Sequence, residues 1–288
     1  MFPGANRRNG AFAAALALVV VVALGSHYWW WTSVNMVGPV SQKQVEAPST
    51  QHPDHLPFDA QDGMPLSLQL FNYIETPTVW CRRLSMFGGV CTGSGKVDGD
   101  KFVCLDAEYA PTAGACLVYS FGIAHEWSFD KDVTGYGCQV HAFDPSMETY
   151  PEGKTAFGVH FYRTGLGTKT KNTPIKWRMM SLTQIRANLS HTQRVIDYLK
   201  VDIEGSEWDW LDDDVNSLKS VRQLGMEIHM NEASLARYHN AFRQIHALGF
   251  RLAHSSPNRV YGRTETVQGV RRKVALLYEL VWLNRHKL

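Results

Sequence analysis

From Trp80 onward, short apolar runs of β-type composition alternate with stretches whose apolar residues recur at helical spacing. Runs at 116–121, 138–143, 156–161, 195–203 and 221–229 are bounded by turn residues and short enough for strands. Between the last two, Trp208, Leu211, Val215 and Leu218 predict a helix over 205–218. Leu235, Tyr238, Phe242, Ile245 and Leu248 form one face of a second helix over 231–248, with Gly249 at its C-cap. Strands alternating with helices predict an α/β domain on a mostly parallel sheet. The closing runs, 250–254 and 274–283, have no crossover helix between them, so they are expected to pair as an antiparallel hairpin with a long loop.

Upstream the pattern changes. Residues 11–24 carry no polar side chain, Arg7 and Arg8 precede them, and Tyr28 to Trp31 follow as interfacial aromatics. Counted to Trp31, the segment has about the ~20 residues of a spanning helix. The expected organisation is a cytosolic tail over 1–10 and a transmembrane signal-anchor over 11–31. Ala23-Leu24-Gly25 also suits cleavage, so a removed signal peptide is the competing reading. Either way the rest is expected outside the cytosol, as a single-pass type II membrane protein of the secretory pathway or a secreted one. Residues 32–77, rich in Pro, Gln, Ser and His, read as a stem with one short helix around 66–74, and 78–288 as the folded domain.

A net charge of +2 supplies no field for nucleic acid, so no such partner is expected. The five cysteines, at 81, 91, 104, 116 and 138, lack zinc-site spacing, and no metal is expected. In an oxidising compartment some can pair, Cys81 and Cys91 being nearest in sequence; Cys104, Cys116 and Cys138 also read as buried thiols among apolar neighbours. Asn188-Leu189-Ser190 is a glycosylation sequon consistent with a lumenal location.

In a doubly wound sheet, chemistry gathers beyond the carboxyl ends of the strands. After the first strand, Gly122 allows a tight turn and close approach of a ligand. After the second, Asp144 can accept hydrogen bonds from both ribose hydroxyls of an adenosine-containing cofactor, although Asp-Pro-Ser is also ordinary turn chemistry. Asp202 and Glu204 end the fourth strand on one side and can bind an amino group, act as general base or hold a metal ion. His229 ends the fifth and titrates near neutral pH. Arg263, Arg271, Arg272 and Lys273 make a basic loop that can attract an acidic substrate or simply be solvated.

These residues carry a family resemblance. Asp98-Gly-Asp-Lys101, the segments 116–123 and 126–130, Val140 to Ser146, Ile196 to Trp208 and Gln223 to His229 resemble the animal methyltransferase-like 24 family, itself related to FkbM-type methyltransferases. The Lys-Val-Asp-Ile-Glu-Gly-Ser-Glu run over 200–207 is the most specific element. The resemblance implies a Rossmann-like S-adenosylmethionine-dependent methyltransferase fold, with a mostly parallel seven-stranded sheet ending in the antiparallel hairpin. It also implies S-adenosylmethionine as cofactor and O-methylation of a small-molecule or glycan substrate through a hydroxyl. Gly122 falls on the first glycine of the cofactor loop and Asp144 on the ribose-binding acid. Ser120 stands where many methyltransferases carry an acid, and Glu126, replacing the second loop glycine, is a candidate for that acid's role.

The expected site is therefore Asp202, Glu204 and His229 for catalysis, with Ser120, Gly122, Glu126 and Asp144 around the cofactor. Two other classes fit parts of the pattern. A lumenal glycosyltransferase would share the anchor-and-stem layout and use Asp212-Asp213-Asp214, which otherwise read as a helix-surface acid cluster. A catalytically inactive binding module of the same fold would explain the altered cofactor loop.

Overall fold

A computed structural model describes residues 63–93, 95–168, 177–258, 260–262 and 264–286. The expected tail, spanning segment and most of the stem lie outside them. Among the described residues no helix is long and apolar enough to cross a membrane.

In chain order the main elements are α1 (Leu66–Glu75), β1 (Leu117–Phe121), α2 (Ser128–Tyr136), β2 (Gln139–Phe143), β3 (Gly153–Lys154), β4 (His160–Tyr162), α3 (Leu182–Asn188), β5 (Ile196–Val201), α4 (Glu207–Asp214), β6 (Val221–His229), α5 (Leu235–Ala247), β7 (Phe250–Pro257) and β8 (Leu277–Asn284). The eight strands form one sheet in the order β7-β8-β6-β5-β1-β2-β4-β3. Strands β6, β5, β1, β2 and β4 run parallel. β8 lies antiparallel between β6 and β7, so the terminal hairpin forms as its spacing predicts. The seven expected strands are present, and β3 adds an eighth, antiparallel at the edge.

Every residue of β1 and β5 is buried, which explains their continuous apolar runs: a central parallel strand is covered on both faces. Leu117, Tyr119 and Phe121 join the larger cluster with residues of α1, α3, α4 and α5, whereas Val118 joins the smaller one with Phe129 and Val133 of α2. A hairpin of Leu84–Phe87 and Lys101–Cys104 also packs on the sheet. Gln223 of β6 bonds the Cys104 backbone in both directions, N to Oε1 at 2.8 Å and Nε2 to O at 2.9 Å, and Tyr198 Oη donates to the Phe102 carbonyl at 2.9 Å.

Helix α1 corrects the expected domain boundary. Leu70, Phe71, Tyr73 and Ile74 are fully buried, Tyr73 packs on Phe242 at 5.3 Å, and Trp282 Nε1 donates to Tyr73 Oη at 2.8 Å. A ten-residue helix with four such side chains belongs to the domain, which thus begins upstream of 78. Cysteine pairing differs too. Cys81 joins Cys104 and Cys116 joins Cys138, whereas Cys91 is free and exposed. The pair nearest in sequence does not form, because Cys81 faces the strand across its own hairpin.

Candidate functional site

After β1 the chain passes to β2 and β4 on one side, then returns to β5 on the other. The strand order therefore reverses between β1 and β5, and a crevice at their carboxyl ends is where such sheets bind ligands. Gly122 lies at that seam with φ +76°, and a Cβ on it would stand 1.5 Å from the Asp202 carbonyl oxygen. Glycine is required because the end of β5 presses against it, a tighter constraint than room for a ligand. Buried Lys200 reinforces the seam by donating to the Gly122 carbonyl at 2.5 Å.

Asp144 organises the loop. Its Oδ2 accepts the backbone N–H groups of Ile123 and Ala124, both at 2.8 Å. Its Oδ1 accepts Ser146 N at 2.8 Å and Ser146 Oγ at 2.6 Å. The two amides hold residues 123–124, where Ala124 has a positive φ of 44°. The Ser146 hydroxyl, by contrast, sits on a rotatable bond, so Oδ1 already holds one hydroxyl and can exchange it for another. Such a carboxylate acceptor fits a ribose hydroxyl.

Ser120 and Glu126 differ from expectation. Ser120 is fully buried, and its Oγ has no hydrogen-bond partner. Glu126 accepts Ser128 N at 2.7 Å and packs against Gly99, so it caps the start of α2 beside the loop. The acid buried under the loop is Asp130, which sequence reasoning missed. Burial pushes its carboxyl up to about 6, with the nearby Lys200 charge opposing that rise. An Asp in a first helical turn reads as ordinary dipole chemistry, so no sequence signal marks it.

The catalytic candidates meet at the adjoining rim. Asp202, Glu204 and His229 bring donor atoms within 4.8 Å of one another. Glu204 is largely exposed and lies 3.5 Å from His229 Nε2. His229 Nδ1 hydrogen-bonds to the fully buried Glu207 Oε1 at 3.2 Å, and the same oxygen accepts the Ile203 and Gly205 amides. Burial alone would lower the imidazole, but above all the Glu207 bond and charge, and also the Asp202 charge, raise it to about 9. His229 therefore carries its proton at neutral pH. Burial likewise works against the Asp202 charge, but Lys101, Lys200 and His229 together hold that carboxyl below its usual range.

Three residues at this rim escaped the sequence reading: Lys101, Glu227 and Glu279. Lys101 Nζ, in a side chain only 2% exposed, lies 2.7 Å from Glu279 Oε1 and 3.6 Å from Asp202 Oδ2. Burial would lower the lysine, but Glu279 and Asp202 outweigh it and keep it charged. Among the basic-loop residues, Arg272 is bound by Glu75, and Arg263 lies outside the described residues. Asp212 sits on α4 with Arg237 on its carboxylate at 2.7 Å, and Asp214 meets Thr183, as a helix-surface cluster would.

Residues 48–266 match the family described as "Methyltransferase domain", and this chain belongs to that family. Over 209 residues it is 26% identical to "Probable methyltransferase-like protein 24" of Rattus norvegicus and 23% identical to the Homo sapiens protein of the same name. Each alignment covers 65% of this chain and 56% of the relative, so the chain spans about half the length of the curated relatives it matches. Among solved structures, the Methanococcus jannaschii fibrillarin pre-rRNA processing protein aligns with a TM-score of 0.35 at 10% identity, covering 70% of this chain and 84% of that one. The C-terminal domain of precorrin-6Y C5,15-methyltransferase from Rhodobacter capsulatus aligns at 0.33 with 11% identity, covering 62% and 85%.

Proposed function

We propose that this chain binds S-adenosylmethionine where β1, β2 and β5 end and methylates a hydroxyl oxygen of a small-molecule or glycan substrate. The observation that carries the reading is Asp144, a carboxylate at the end of β2 that orders the β1 loop through two amides and keeps a hydroxyl on its other oxygen. Ser146 is a stand-in for the ribose hydroxyl there. When bound, the cofactor supplies an electrophilic methyl group. The chain's part is to orient the acceptor and take up its proton, and positioning of this kind accounts for much of the rate in group transfer. Asp202 is the proton acceptor, since it is ionised at neutral pH while His229 already holds a proton. Imidazolium His229 and ammonium Lys101 fix its orientation from two sides.

The two disulfides and the exposed Asn188 sequon support residence in an oxidising compartment, as a membrane-anchored or secreted protein. Calorimetric titration with S-adenosylmethionine and S-adenosylhomocysteine tests the cofactor. Ser146→Ala should bind at least as tightly as wild type, since it removes a competitor for Asp144, whereas Asp144→Asn should bind several-fold more weakly. Absence of binding by well-folded wild type would instead favour the inactive module.

A further inference from the structure

Glu227 is the carboxylate at this rim without a cation of its own. Its neighbours come from every packed element: Lys101 from the hairpin, Asp202 from the end of β5, His229 from its own strand, Glu279 from β8 and Asn258 after β7. The cations are committed elsewhere. Lys101 lies on Glu279 at 2.7 Å, His229 donates Nδ1 to Glu207 at 3.2 Å, and Lys200 bonds the Gly122 carbonyl. His229 Nε2 is 4.0 Å from Glu227, beyond hydrogen-bond reach, and the neutral Asn258 Nδ2 is its near donor at 2.8 Å. Yet Asp202, Glu227 and Glu279 bring one oxygen each within 4.8 Å of one another, and Glu227 is buried. Three carboxylates so close cannot all ionise when Lys101 is the ammonium placed among them and Lys200 is turned to the Gly122 carbonyl.

We propose that Glu227 keeps its proton at neutral pH and shares it with Glu279, and that this neutral acid, with Lys101, leaves Asp202 as the ionised carboxylate of the buried group. Lys101 and Glu227 are positioning residues: they set the charge and orientation of the group that takes the acceptor's proton. Burial together with the Asp202 and Glu279 charges raises the Glu227 carboxyl to about 9, in keeping with the geometry. Only the role given to Asp202 rests on the methyl-transfer reading; the protonation of Glu227 does not.

The test needs neither cofactor nor substrate, so failure of S-adenosylmethionine binding leaves it intact. A carboxyl raised in the folded state favours folding below its unfolded value and loses that advantage as pH rises toward 9. Glu227→Gln, which mimics the protonated acid, should therefore raise the melting midpoint at pH 8 by several degrees relative to wild type, and by much less at pH 5. Infrared spectra at pH 7.5 should contain a protonated-carboxyl stretch in wild type that the variant lacks. Glu279→Gln should lose the same band, because Lys101 is then free to pair with an ionised Glu227, and it carries the test should Glu227→Gln fail to fold. A Glu227→Gln variant destabilised equally at pH 5 and pH 8, or an infrared band unchanged by both substitutions, would overturn the proposal.

Discussion

Gly122 and Gly205 both lie at the strand-end rim with left-handed backbones, φ +76° and +87°, yet alanine should affect them very differently. Left-handed alanine costs ~1–2 kcal/mol wherever it is placed. At Gly205 that is the whole effect, since the nearest atom to an added Cβ is His229 Cβ at an ordinary 3.9 Å. At Gly122 the Cβ would stand 1.5 Å from the Asp202 carbonyl, so β1 and β5 must part. The bonds at stake are Gly122 N to Phe143 O at 3.0 Å, Asp202 N to Phe121 O at 3.1 Å and the Lys200 ammonium to Gly122 O at 2.5 Å. Neutral bonds contribute ~1 kcal/mol each and a charged one ~1.5–3, so with the backbone cost Gly122→Ala should lose ~4.5–7 kcal/mol in all. Against a total stability of ~5–15 kcal/mol that is enough to unfold much of the protein. Urea denaturation of the two variants measures the contrast. Losses equal within ~1 kcal/mol would mean that the seam between Gly122 and Asp202 is not closed in the native state, and the account of this glycine would fall.

Three further outcomes are expected. Burial, then the nearby charges of His191, His160 and Arg194, lowers His141 to about 3, so its depressed folded value makes the protein lose stability as pH falls below the unfolded ~6.5. From pH 6.5 to 5 wild type should lose ~2 kcal/mol relative to His141→Phe, and parallel stability curves for the two would refute it. Replacing Cys116 and Cys138 by Ser, a bridge 22 residues apart in sequence, should cost ~3 kcal/mol in denaturant titrations, while Cys91→Ser should change nothing. Asp202→Asn should abolish methyl transfer, once an acceptor is found, while S-adenosylmethionine affinity stays within a few-fold of wild type; retained turnover would remove Asp202 from its role.

The parts of the fold legible in the sequence are those where burial dictates composition. Strands β1 and β5, covered on both faces, read as continuous apolar runs, and β7 and β8 follow from the missing crossover. The edge is less visible. β3 is two exposed residues, Gly153 and Lys154, with no pattern at all, and only the end of the 156–161 run is strand, β4 beginning at His160. Helix α1 has a clear apolar face, but the polar, proline-rich residues around it hide the fact that this face is core. Strand ends likewise expose Gly122, Asp144, Asp202 and His229 as candidates. Glu227 and Glu279 look like ordinary strand residues, because no local rule says that their side chains converge.

Lys101 shows why that convergence is invisible in one dimension. It meets Glu279 across 178 residues of chain, and its position depends on anchors in the residues just after it. Phe102 is held by Tyr198 of β5, and Cys104 by Gln223 of β6 and by the bridge to Cys81. Each anchor ties the hairpin to a strand that also supplies the rim, β5 ending in Asp202 and β6 carrying Glu227 and His229. The charge balance of the site is thus set by the packing of a peripheral ribbon on the central strands. A change in that packing reaches Asp202 through Lys101 even where the carboxyl ends of the strands do not move.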